Sequence, residues 1–125
     1  MKFTLESIAA ASIRSVANGQ FVIGDQSWSE PIALTAEGMV DNWSIVPVDL
    51  LSIEALEPLL ERQPELIVVG TGSQQLLPER DLMFAMARSG VGLELMDTPA
   101  AARTFNVLIG EGRSVAAVLY PTDIT

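Results

Sequence analysis

The sequence contains no histidine and no cysteine, and its one lysine, Lys2, stands beside the N-terminus. Without imidazole there is no Ser-His-Asp or Cys-His nucleophile system. There is also no histidine metal ligand and no side chain that ordinarily titrates near neutrality. Without thiols there is no cysteine nucleophile, no redox pair, no thiolate zinc site and no disulfide framework. A phosphate-binding P-loop needs a lysine just after its glycines, and a Schiff-base enzyme needs one in a pocket. Lys2 suits neither. These exclusions hold for any fold, so no catalytic residue, metal site or cofactor is assigned. The tools that remain are carboxylates, arginines, hydroxyls, Tyr120 and backbone amides.

Positive charge is scarce as well. Lys2 and six arginines face 16 acidic residues, for a net charge of −9 and an isoelectric point near 4.2. Nucleic acid is therefore a poor partner, because phosphate backbones are bound by clustered Lys and Arg. Anionic membrane surfaces are disfavoured for the same reason. Long hydrophobic runs are missing too. Leu66-Ile67-Val68-Val69 is strand-sized, whereas a spanning helix needs ~18 apolar residues, so no membrane insertion is expected. The opening Met1-Lys2-Phe3-Thr4-Leu5-Glu6-Ser7 has an early acid and no sustained apolar or Arg-rich stretch. It does not read as a secretory signal or transit peptide, and a cytoplasmic location is the expectation.

What is plentiful is apolar surface. Hydrophobic residues make up 49% and mean hydropathy is +0.35. That calls for strands buried on both faces or for an apolar contact between chains, a homodimer included. The acidic charge keeps such a domain in solution. The length of 125 residues fits one domain, 1–125, able to bury roughly two thirds of its unfolded surface.

The first half reads as β structure. Ile13 to Ala17 and Gln20 to Ile23 flank Asn18-Gly19, a pair suited to the positive φ angles of a type I′ hairpin turn. Asp25-Gln26-Ser27 reads as a second turn. Pro31 opens a strand from Ile32 to Thr35, and Glu37-Gly38 turns it toward Met39-Val40. Trp28 and Trp43 are expected to pack on this sheet. In the second half the period changes. Ser52 is placed to cap a helix reaching Arg62, with a kink at Pro58 or a later start, since proline lacks the N–H. Leu66 to Val69, ending at Gly70, is a buried strand. Pro78 starts a helix with Leu82, Ala85, Met86 and Ser89 on one face, stopped by Gly90. Leu93 to Met96 is the next strand. Thr98 is read as the N-cap and Pro99 as the first residue of a helix that buries Ala101, Phe105 and Leu108 and ends at Gly110. Val115 to Tyr120 is the last strand, closed by Pro121. This C-terminal strand-helix-strand-helix-strand series implies an α/β domain with a parallel or mixed sheet and helices on one face. The N-terminal hairpin would cover or extend that sheet.

Two groups of residues are candidates for a binding site. Gly70-Thr71-Gly72-Ser73 follows a strand and precedes a helix, as dinucleotide-binding turns do. Asp97 stands at the end of the next strand, where a ribose-binding acid would. The third glycine position of such a fingerprint is Gln75, and Pro78 delays the helix. The plain alternative is a tight turn that needs glycine for backbone reasons. Arg103 and Asn106 lie one turn apart on the last helix. A guanidinium beside an amide could clamp a carboxylate or phosphate. Alternatively, Arg103 pairs with Asp97 or Glu111, and Asn106 bonds loop backbone. A small-anion or nucleotide site at the glycine loop, with Thr98 and Arg103 nearby, is thus one functional reading.

The series Leu66 to Gly72 with Leu77-Pro78, then Gly92 to Thr98, Ala100 to Leu108 and Glu111 to Ala117, resembles a family of uncharacterised small bacterial and archaeal domains. The mitochondrial respiratory complex I assembly factor also belongs to that family. The resemblance implies a three-layer fold with two β layers and one helical layer, and no established activity or cofactor. Gly70, Thr71, Gly72, Asp97, Thr98, Arg103 and Asn106 match its motif without an agreed role. It implies a non-enzymatic protein-interaction domain, of unknown partner, that aids assembly of a protein complex.

Overall fold

The computed structural model describes residues 12–123. A hairpin opens it. β1 (Ile13–Ala17) pairs antiparallel with β2 (Gln20–Ile23), and β2 pairs with β3 (Gln26–Trp28), giving a three-stranded sheet. Asn18 and Gly19 have φ of 52° and 76°, the two positive values of a type I′ turn. The second turn is Gly24-Asp25, not Asp25-Gln26-Ser27; Gln26 and Ser27 already belong to β3. Gly24, at φ 61°, takes the left-handed position that glycine adopts without steric cost.

β4 (Ile32–Thr35), β5 (Gly38–Met39), β6 (Leu66–Gly70), β7 (Gly92–Met96) and β8 (Val115–Leu119) form a mixed sheet in the order β5-β4-β8-β6-β7. β6 runs parallel to both β7 and β8, and β4 runs antiparallel to β8. The helices are α1 (Ile53–Leu60), α2 (Arg80–Ser89) and α3 (Thr98–Gly110), with a 3-10 turn at Val48–Leu50. Ser52 caps α1 by accepting from the Ala55 amide at 3.2 Å. The helix starts there and passes through Pro58 without the late start the proline suggested. α2 begins two residues after Pro78, with Glu79 as its cap.

Helices cover both faces of the large sheet, not one. From β6 to β7 the chain steps outward by one place; from β7 to β8 it steps back across β6. Parallel crossovers are right-handed, so opposite directions of travel put α2 and α3 on opposite faces. The alternation along β6 shows the result. Val68 packs with Ala101, Phe105 and Ile109 of α3 and with Phe21 and Ile13 of the small sheet. Ile67 and Val69 pack with Leu56 and Leu59 of α1 and Leu82 and Met86 of α2. The three layers are thus the small sheet with α3 beside it, the large sheet, and α1 with α2. β6 reads as one apolar run because neither face meets water. Fully burying Phe105 alone contributes about 3 kcal/mol.

Trp28 packs beside the small sheet as expected, whereas Trp43 lies in the opposite layer with α1 and α2. The segment that carries Trp43 is held down by Tyr120, whose hydroxyl donates to the Val46 carbonyl at 2.8 Å. Burial, and then the charge of Asp49, push the Tyr120 phenol up to about 12. The unfolded chain ionises this group near 10, so the folded state keeps the proton longer. Its contribution to stability is complete below about pH 10 and is lost as pH rises toward 12. Tyr120 is the single tyrosine of the chain, so absorbance at 295 nm reports it alone. The expected midpoint is about 12, with a fall to about 10 in urea; Tyr120→Phe should remove the loss of stability in that window.

Candidate functional site

The carboxyl ends of β6 and β7 feed helices on opposite faces. In open α/β sheets such a divergence marks the crevice where ligands bind. Here the chain itself laces the floor of that crevice. Thr98, the first residue of α3, is fully buried. Its Oγ1 accepts from the Gly72 amide at 2.8 Å and donates to the Tyr120 carbonyl at 2.6 Å. Its own amide donates to the Gly72 carbonyl at 2.8 Å, and the Tyr120 amide donates to the Gly70 carbonyl at 2.8 Å. One side chain therefore joins the ends of β6 and β8 to the start of α3.

Gly70 is required by this closeness. A Cβ there would lie 2.9 Å from the Thr98 Cα and 2.9 Å from its Oγ1, below any ordinary contact. Gly72, at φ 102°, turns the chain where a side chain would be strained. Thr71 donates its amide to the Met96 carbonyl at 2.9 Å. Its hydroxyl sits 2.6 Å from the Gln74 carbonyl and accepts from the Leu76 amide at 3.1 Å. Ser73 Oγ accepts from the Asp123 amide at 2.7 Å. Asp97, not Thr98, caps α3: its Oδ1 accepts from the Ala100 amide at 2.8 Å. Pro99 is accordingly the second helical residue.

Gly70, Thr71, Gly72, Ser73, Asp97 and Thr98 thus meet at one end of the sheet. An open cavity of about 320 Å³ lies outside them, lined by Thr71, Gly72, Ser73, Gln74, Leu76, Pro121 and the carboxylate-bearing Asp123. The amides of Thr71, Gly72, Thr98 and Ala100 are all donated within the chain. Arg103 and Asn106 line a different cavity, of about 170 Å³, between α3 and β1. Asn106 is committed to structure: its Oδ1 accepts from the Ile13 amide and its Nδ2 donates to the Ile13 carbonyl, each at 2.8 Å. Among the described residues, no group of three or more carboxylates is placed to hold a metal ion, and no helix is long and apolar enough to cross a membrane. Sequence reasoning missed Tyr120 as the partner of Thr98 and of Val46, because both bonds run through long-range backbone that leaves no local pattern.

A family model described as "Protein of unknown function (DUF498/DUF598)" matches residues 13–120. The chain belongs to this family. It is 27% identical over 113 residues to the "13 kDa major membrane protein" of Francisella tularensis, covering 89% of this chain and 91% of that one. It is 33% identical over 118 residues to the bovine "NADH dehydrogenase (ubiquinone) 1 alpha subcomplex assembly factor 3", covering 93% of this chain. It spans only 64% of that relative's length. A crystal structure of a Bordetella parapertussis protein superposes with a TM-score of 0.81 at 32% identity, over 90% of this chain and 97% of that one. The mixed α/β fold with two sheets is therefore shared with experimentally determined relatives.

Replacing Thr98 tests the lacing. Thr98→Val keeps the shape but leaves the Gly72 amide and the Tyr120 carbonyl buried without their partner, at a cost of about 1–3 kcal/mol for each. Urea unfolding should show that loss, with Thr98→Ser recovering most of it. Equal loss in both variants would show that the hydroxyl is not the determinant.

Proposed function

We propose that this chain is a non-enzymatic protein-interaction domain that aids assembly of a protein complex. The observation that carries the reading is the concentration of exposed apolar side chains between positions 76 and 84. Leu77 is 84% exposed and Phe84 56% exposed, and Leu76 and Met83 stand out beside them. On α2, Leu82 and Met86 point into the core while Met83 and Phe84 do not. Met83 and Phe84 are consecutive on α2 and both are exposed. Four exposed apolar residues within one nine-residue stretch point to an interaction site. The sequence supports the same reading, since it lacks imidazole, thiol and a usable lysine. The bovine relative is named an assembly factor, and that name lends the assembly role its support here.

The rival reading places a small anion or nucleotide on the Gly70-Thr71-Gly72 loop. It asks for amide donors that Thr71, Gly72 and Thr98 already donate internally. A homodimer through the apolar surface is the other occupant to separate, and sedimentation equilibrium does so directly.

A photoreactive phenylalanine analogue at position 84 should crosslink one recurring protein in cells. The same analogue at the exposed Glu57 of α1 should not. With the analogue kept at position 84, the double variant Leu77→Asp, Met83→Glu should abolish capture while shifting stability by no more than about 0.5 kcal/mol per site. An identical crosslinking pattern at positions 57 and 84 would contradict the proposal.

A further inference from the structure

We infer that the groove between β1 and α3 binds a carboxylate group, held by Arg14 and Arg103. The inference stands apart from the interaction role proposed above and from the glycine loop. The groove has a volume of about 170 Å³ and is lined by Ile13, Arg14, Ser15, Val16, Pro99, Ala102, Arg103 and Asn106. In a chain with 16 acidic residues and seven basic ones, that lining contains two arginines and, among the described residues, no acid. Four other cavities on this molecule each include at least one Asp or Glu in their lining.

Both arginines line this groove. The β1–β2 register shifts between Ile13 and Ser15, so Arg14 is the extra residue of a bulge. Bulges break the in-out alternation of a strand and redirect a side chain. Arg14 and Ser15 are accordingly both exposed, which plain alternation forbids. Arg14 Nη1 donates to the Gly24 carbonyl at 2.9 Å. That bond engages one of the five N–H groups of the guanidinium. Arg103 stands on the facing helix, exposed on the groove wall. The two walls are locked together by the paired hydrogen bonds of Asn106 to Ile13, each 2.8 Å. Those bonds also consume the amide of Asn106, so charge and not amide recognition is what the groove offers.

Two planar guanidinium groups match the paired oxygens of a carboxylate, and the volume admits a group of side-chain size. The carboxylate could come from a free small acid or from an acidic side chain of a partner. Both sources share the chemistry and are separated by experiment.

Nitrogen-15 NMR titration of the whole chain uses three probes: glutarate, a capped peptide with one glutamate, and the neutral glutaramide. Saturable shifts at Ser15, Val16 and Ala102 are expected with a carboxylate probe and not with glutaramide. Arg103→Gln and Arg14→Gln should each weaken binding at least about tenfold, while Arg113→Gln leaves it unchanged. Saturation by glutarate identifies a free acid as a sufficient ligand. Saturation by the peptide alone identifies a side chain on a partner. Either outcome upholds the site. Shifts that glutaramide reproduces, that survive both arginine variants, or that never saturate with either carboxylate at large excess overturn it.

Discussion

A single buried hydroxyl organises this domain. Thr98 sits where β6 ends, where β8 ends and where α3 begins, and it bonds to the first two while starting the third. A buried hydroxyl is costly unless both its donor and acceptor roles are filled, and here both are. The bonds have a steric consequence. They draw α3 so close to β6 that position 70 has no room for a Cβ. The glycine is there for packing and the threonine for hydrogen bonding, and neither makes sense without the other. A similar economy holds on the far side of the sheet. There Tyr120, next in chain after β8, reaches across to Val46 and fastens the segment that brings Trp43 into the helical layer.

This arrangement changes what the glycine loop means. A strand, a Gly-Thr-Gly turn and a following helix together suggest a cradle for phosphate. In a phosphate-binding loop, however, backbone amides point outward at the ligand. Here the Thr71 amide is donated to the Met96 carbonyl and the Gly72 amide to Thr98 Oγ1. The divergence of α2 and α3 to opposite faces makes a crevice in topology, and the chain laces its floor. The apolar stretch from Leu76 to Phe84 and the arginine-lined groove beside β1 are the two surfaces proposed above for recognition.

Much of the fold was legible because its signals are local. Asn18-Gly19 demanded positive φ angles and took them. Ser52 capped α1, and the apolar run at Leu66 became the central strand. Errors arose where two neighbours shared a chemistry. Asp97 and Thr98 can both cap a helix, and only the tertiary bond from Thr98 to the Tyr120 carbonyl decides which one is free to do so. Asp25-Gln26-Ser27 reads as the turn after β2, although Gly24 supplies the positive φ. Helix placement on both faces was written in strand order, which periodicity does not carry. For the candidate residues, adjacency in sequence misled: Arg103 and Asn106 share the helix of Thr98 but serve the groove at β1. Arg14 drew no notice, because a bulge is visible only once the register is known.

The central claim is that the amides of Thr71, Gly72 and Thr98 are spent on holding strand ends together and are not reserved for a ligand. Amide hydrogen exchange at Gly72 and Thr98 tests it most directly. The account predicts exchange as slow as that of Val68 in the core of the sheet, unchanged when phosphate or a nucleoside triphosphate is added. Rapid exchange at Gly72 that slows on adding either anion would contradict it.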